Sequence, residues 1–159
     1  MSFNQIQRKQ IIKTDIDTLW EFISSPKNLK KITPKSMIFD ITSDITEKMY
    51  SGLIISYKVA PMLNIPMTWV TEITHIKEKS FFVDQQILGP YKFWHHQHIL
   101  IETKDGILMH DIISYIPPYG IFGNILNFLF IRKKINQIFD YRKSELDKIF
   151  NKNRSEINL

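Results

Sequence analysis

Three of the chain's five histidines fall between positions 95 and 98, in the run Trp94-His95-His96-Gln97-His98. An imidazole can donate, accept or ligate a metal near neutral pH, so chemistry is looked for there first. On an extended strand, side chains alternate between faces. Trp94, His96, His98 and Leu100 then share one face, and Phe93, His95, Gln97 and Ile99 the other. Two same-face histidines at i, i+2 can hold zinc if a third ligand such as His110, Asp111 or Glu72 joins them. The spacing brings no third ligand into place, and no metal and no cofactor are expected. The plainer expectation is a polar pocket wall, or imidazoles hydrogen-bonded to a carboxylate.

Asp84 and Gln86 share a strand face with Phe82 and Leu88, and Asp111 shares one with Met109, Ile113 and Tyr115. If 80–88, 92–104 and 107–116 are sequential antiparallel strands, Asp111 lands within a few residues of His98. His98 and Asp111 are then the candidate acid–base pair. A buried carboxylate has to be paired or protonated. Hydrophobicity alone would turn Asp84 outward, because Phe81, Val83 and Ile87 form the more apolar face. Arg142 interrupts an apolar helical stripe. Either its stem covers apolar surface, or its guanidinium enters a cavity to hold an acidic group or to pair with Asp84 or Asp111. Trp69, Trp94, Tyr57, Tyr91 and Tyr115 are candidates for an aromatic lining, with Met62, Met67 and Met109 as adaptable neighbours. On strands, such residues are more often plain core.

Several chemistries are excluded. The chain has no cysteine, which removes disulfides, thiolate catalysis and thiolate zinc sites. It has no Gly-x-Ser-x-Gly and no phosphate loop, and its five glycines are few for a nucleotide-binding fold. Net charge is +5, and the stretch 132–154 holds eight basic residues against three acidic ones. The surplus therefore sits in the C-terminal segment. No interleaved aromatics or nucleic-acid motif accompany it, so no nucleic-acid partner is expected. The N-terminus lacks the apolar core of a signal peptide. No run reaches the roughly 20 apolar residues of a membrane span. A cytoplasmic location is expected.

The elements that must position these groups follow from periodicity. Residues 3–14 read as a strand. Thr14 opens a helix, with Asp17 as a short capping box, and Ile16, Leu19, Trp20 and Ile23 make its apolar face. Ser25 and Pro26 start a second short helix with Leu29 and Ile32 as its apolar pair. Six strands follow at about 36–44, 52–60, 66–77, 80–88, 92–104 and 107–116, the last two joined by an Asp105-Gly106 hairpin signal. After Pro117-Pro118-Tyr119-Gly120 the period is helical. Phe128, Ile131, Ile135, Ile138 or Phe139, Arg142, Leu146 and Ile149 or Phe150 form one stripe. At 159 residues one domain is expected, spanning 1–151 with a frayed tail at 152–159. The fold class is α+β: a curved seven-stranded antiparallel sheet around a long C-terminal helix, with two short helices after the first strand. A single amphipathic helix must bury its stripe on such a sheet, and the space between them is where a ligand fits.

This order resembles the helix-grip arrangement of the START-like, birch-pollen-allergen-like (SRPBCC) superfamily. The resemblance covers roughly residues 3–150. It rests on Trp69, Phe82-x-Asp84-x-Gln86-x-x-Gly89-Pro90-Tyr91-x-x-Trp94-x-His96-x-His98, Asp111, Tyr115-x-x-Pro118-x-Gly120 and Ile138-Phe139-Asp140-Tyr141-Arg142. These are similar to the bacterial ligand-binding branch labelled cyclase/dehydrase-like or cell-division-inhibitor-like. One departure is local: 130–135 carries more Lys than that branch's Arg-rich helix. The resemblance implies that Asp84 points inward. The candidate ligand contacts are Trp69, Phe82, Asp84, Gln86, Tyr91, Trp94, His96, His98, Asp111, Tyr115, Phe139 and Arg142. The expected partner is a small hydrophobic or amphiphilic molecule, bound by a monomer or weak homodimer. Two other functions stay open: a cyclase-, dehydrase- or hydrolase-type enzyme using the His–Asp pair, and a membrane-edge or protein-interaction module using the basic helix. Residues 121–126 followed by Arg132-Lys133-Lys134 are where a peripheral membrane contact would fall.

Overall fold

The structure, a computed structural model, describes residues 2–44, 46–60 and 65–152. Among these, strand β1 spans Asn4–Ile12, helix α1 Ile16–Ile23 and helix α2 Pro26–Leu29, which runs on as a 3-10 turn over Lys30–Ile32. Strands β2 (Phe39–Ile41), β3 (Leu53–Val59), β4 (Met67–Lys77), β5 (Phe81–Leu88), β6 (Phe93–Thr103) and β7 (Gly106–Ile116) come next. Helix α3 (Gly120–Leu126), a π turn (Asn127–Ile131), helix α4 (Arg132–Leu146) and a second π turn (Asp147–Lys152) form one rod. The seven strands make a single antiparallel sheet in the order β1-β7-β6-β5-β4-β3-β2. The helix-grip architecture is therefore as the sequence implies. Met62 and the tail residues 153–159 lie outside the described residues. Asn151 is tied down: its side-chain amide donates to the Ile11 carbonyl at 3.2 Å, and its oxygen accepts from the Lys13 amide at 2.8 Å.

Local chemistry explains where the elements begin and turn. The cap of α1 is Asp15, not Thr14: the Asp15 carboxylate accepts from the Thr18 amide at 2.8 Å, one of the amides a helix start leaves without a partner. Ser25 and Pro26 do start α2, although the Ser25 side chain makes no capping bond. In the β6–β7 hairpin the turn residues are Lys104 and Asp105, because Thr103 pairs with Gly106. Gly106 has φ +124°, and a Cβ there would run into the Ile12 carbonyl of β1. The glycine is required by strand packing as well as by the turn.

The core lies between the concave sheet face and the rod. One buried cluster gathers Leu19, Trp20 and Ile23 of α1 with Ile55, Ile73, Phe82 and Leu146. A second gathers Trp94, Ile113 and Tyr115 with Ile131, Ile135 and Phe139. The rod buries Ile131, Ile135, Phe139 and Leu146 as the stripe requires. Phe128 is a correction: it is 84% exposed, and Asn127 faces inward in its place. The wider i→i+5 winding at Asn127–Ile131 rotates position 128 off the buried side. Among the described residues, no helix is long and apolar enough to cross a membrane.

Candidate functional site

Alternation along β6 turns His96 and His98 inward, where both are buried. The register then supplies their partners. Asp84 of β5 lies directly opposite His96, and Asp111 of β7 directly opposite His98. The hydrogen bonds run on the diagonals, a reach that neighbouring strands permit. His96 Nε2 donates to Asp111 Oδ1 at 2.9 Å, and His98 Nε2 to Asp84 Oδ1 at 3.0 Å. The other two nitrogens complete a square. His98 Nδ1 lies 3.0 Å from Asp111 Oδ1, and His96 Nδ1 lies 3.5 Å from Asp84 Oδ1. The short His98 Nδ1 contact is not aligned as a hydrogen bond, so that nitrogen is buried without one. The two imidazole centroids are 3.7 Å apart. Phe82 stacks on His98 at 4.1 Å, and Phe139 meets His96 edge-on at 5.3 Å. These contacts hold both rings in place.

Burial acts on every member of the square, and the partners decide each outcome. For His96, loss of water and the neighbouring His98 outweigh the two carboxylates, and its pKa is pushed down to about 4. For His98, burial alone would lower the pKa, but hydrogen bonds and charge from Asp111 and Asp84 raise it above its ordinary value. Burial works to raise both carboxyl groups, yet the imidazoles hold Asp84 and Asp111 below the usual carboxylate range. Near neutral pH the cluster thus holds two carboxylates and a neutral His96, while His98 keeps its proton to higher pH than an ordinary histidine does. Arg142 adds a positive charge from α4. Burial lowers its pKa and the same two carboxylates oppose that. Its guanidinium lies 4.8 Å from the centroid of the Phe139 ring, and its buried Nε has no hydrogen-bond partner.

In front of this cluster is a pocket of about 170 Å³ between sheet, rod and the α1–α2 region. Its walls include Phe22, Ile32, Tyr57, Val59, Trp69, Tyr91, Trp94 and Ile135, while Asp84, His96, His98 and Arg142 supply charge. A second recess of about 210 Å³, bounded by Arg8, Asp111, Asp140 and Lys143, lies behind it and shares Arg142 as a wall.

Of the expected ligand contacts, Trp69, Phe82, Asp84, Tyr91, Trp94, His96, His98, Phe139 and Arg142 line the pocket. Three stand elsewhere. Asp111 sits behind the imidazoles and lines the second recess. Gln86 braces the β5–β6 turn: its amide donates to the Tyr91 carbonyl at 2.7 Å, and its oxygen accepts from the Tyr91 amide. Tyr115 is fully buried, and its hydroxyl donates to Asn127 Oδ1 at 2.9 Å, fastening the rod to β7. Met109 joins the lining, and Met67 packs at the edge of the core. His110 and Glu72 are on the outer face, His110 against Gln7. Sequence reasoning paired His98 with Asp111 and missed its bond to Asp84. Counting register back through the Gly89-Pro90 turn is the signal that points to it.

No family model and no curated protein matches the chain by sequence. Solved structures match in shape. A protein from Chromobacterium violaceum superposes with TM-score 0.71 at 8% identity, over 92% of this chain and 97% of its own. Major latex-like protein 151 from Panax ginseng gives TM-score 0.68 at 14% identity, over 93% and 97%. A point mutant of norcoclaurine synthase from Thalictrum flavum, in complex with a transition state analogue, gives 0.63 at 13% identity, over 92% and 96%. Likeness at these identities establishes the fold. The chain has the START-like, birch-pollen-allergen-like helix-grip fold, and it carries a buried His/Asp cluster on the inner face of the sheet.

Proposed function

We propose that the protein binds a compact, partly apolar molecule between sheet and rod, with its polar end held by Arg142, His96, His98 and Asp84. The observation that carries this reading is the distribution of polarity in the pocket. Aromatic and aliphatic side chains make most of the wall, and the ionisable groups include a buried guanidinium nitrogen with no hydrogen bond. An unsatisfied buried donor costs about 1–3 kcal/mol, more when charged, and an acidic ligand group at Arg142 would remove that cost. Size narrows the class further. At about 170 Å³ the space is on the scale of a cavity that takes one benzene ring, which favours a single-ring carboxylic acid over a long acyl chain. The helix-grip norcoclaurine synthase, solved with a transition state analogue, supports this fold as a holder of organic ligands.

Trp69 and Trp94 line the pocket, so tryptophan fluorescence and native mass spectrometry test the reading together. Aromatic carboxylic acids should change the emission saturably, and Arg142→Met should weaken the acids more than neutral analogues. An unresponsive emission, together with protein that carries and retains no small molecule, would overturn the proposal.

A second reading has its own observation. We infer that the first turns of the rod touch an anionic membrane surface. Ile121, Phe122 and Phe128 are 77%, 75% and 84% exposed, with Tyr119, Ile125, Leu129 and Phe130 also exposed beside them. Arg132 and Lys133 follow on the exposed surface. A contiguous apolar patch of this kind marks an interaction site, and adjacent cations favour anionic lipid. Vesicles containing phosphatidylglycerol should sediment the protein and neutral phosphatidylcholine vesicles should not. Phe122→Asp combined with Phe128→Asp should abolish the effect. Equal recovery with both vesicle types, or none with either, would refute this inference.

A further inference from the structure

We propose that Asp84, His96 and His98 form a site for a divalent transition-metal ion, with Asp111 orienting the two imidazoles from behind. One donor atom from each of the three residues can be chosen so that all lie within 4.8 Å of one another. His98 Nε2 and His96 Nδ1 lie 3.0 and 3.5 Å from the same Asp84 oxygen. A tetrahedral ion with bonds of about 2.1 Å needs its ligand atoms about 3.4 Å apart. Two of the three separations are therefore close to a coordination shell, and rotation of the rings would close the third, which lies within 4.8 Å.

The opposite side of each ring strengthens the assignment. A metal-bound histidine usually gives its other N–H to a carboxylate, which fixes the tautomer and aims the free lone pair. Asp111 Oδ1 lies 2.9 Å from His96 Nε2 and 3.0 Å from His98 Nδ1. One oxygen thus faces the outer nitrogen of both rings. His98 Nδ1 is the buried nitrogen whose bond is not aligned. Turning His98 from Asp84 towards an ion would swing that N–H onto Asp111.

Charge agrees. Asp84 and Asp111 bring two negative charges and Arg142 one positive. A bound ion takes the place of any imidazole proton, and with both imidazoles neutral the two carboxylates and Arg142 leave one net negative charge for it to balance. Two imidazole nitrogens and one carboxylate suit zinc, iron(II) or cobalt(II) better than magnesium or calcium. Asp84, His96 and His98 all line the 170 Å³ pocket and Asp111 does not, so the open coordination position faces the space where a ligand binds. The proposal goes beyond the ligand-binding reading and does not depend on it, because an ion can occupy the site in an empty pocket.

The test is cobalt(II) and zinc(II) titration of the untagged full chain after chelator treatment. Cobalt should bind stoichiometrically and develop the visible absorption of a four- or five-coordinate nitrogen–oxygen site. Zinc should displace it and raise the thermal midpoint. Asp84→Ala and His98→Gln should remove the bands, Asp111→Asn should weaken zinc by about 10–100-fold, and His110→Ala, on the outer face, should change nothing. Circular dichroism separates loss of metal from loss of fold. If a variant unfolds, the wild-type imidazole resonances of His96 and His98 on zinc addition decide the question. Absence of stoichiometric binding, unmoved His96 and His98 resonances, or bands that persist in folded Asp84→Ala and His98→Gln would each overturn the site.

Discussion

Acid should destabilise the chelated protein through His96, by an amount the structure sets. A histidine with a folded-state pKa of about 4 against about 6.5 when unfolded binds its proton only in the unfolded chain between those values. The stability it carries is complete above pH 6.5 and disappears as pH falls towards 4. At 1.36 kcal/mol per pKa unit the loss is about 3 kcal/mol, a large part of a net stability of about 5–15 kcal/mol. His98 works in the opposite sense. Its raised pKa gives stability that is complete below pH 6.5 and is lost as pH rises through its folded value. Asp84 and Asp111, both lowered, add stability present above pH 3.8 and lost below it. Urea unfolding in EDTA at intervals from pH 8 to pH 4 should show stability falling below pH 6.5. His96→Gln, which has no such proton to bind, should be less stable at pH 7 yet flatter across that acid window. The same slope in His96→Gln and wild type, or a His96 imidazole resonance that titrates near pH 6.5, would refute the reasoning.

Tyr115→Phe should cost about 1–3 kcal/mol in urea unfolding, because it leaves the buried Asn127 oxygen without the donor that now reaches it at 2.9 Å. Ile135→Ala, at a position 1% exposed in the second core cluster, should cost about 2–5 kcal/mol and lower the thermal midpoint. Asp15→Ala removes the cap of α1 and should cost about 1 kcal/mol, with Asp15→Asn recovering most of it.

The seven strands and the terminal rod were legible because alternation, proline breaks and a hairpin signal are local properties, readable within a window of about ten residues. The inward turn of Asp84 was not legible from hydrophobicity, since Val83 beside it is also buried. A carboxylate is tolerated inside only because His98 stands 3.0 Å away on the next strand, and that fact belongs to the register. Resemblance supplied the orientation that apolar counting would have reversed. Gln86 and Tyr115 share the right strand faces, yet face alone does not distinguish a pocket wall from a brace. Each is decided by one hydrogen bond to a distant segment, Tyr91 in one case and Asn127 in the other. Phe128 was misplaced because a constant helical period carries no sign of a π turn.

The edge order of the sheet has a consequence for biosynthesis. Among the described residues, β1 pairs only with β7, from Asn4 against Tyr115 to Ile12 against Ile107. A ribosome adding about 5–20 residues per second needs roughly 5–20 s to make the intervening chain. For that interval the first strand emerges with its apolar positions uncovered and no partner yet synthesised. The nascent chain is then most exposed to wrong pairing and to capture by holding chaperones. Release into the native sheet waits on the last strand translated.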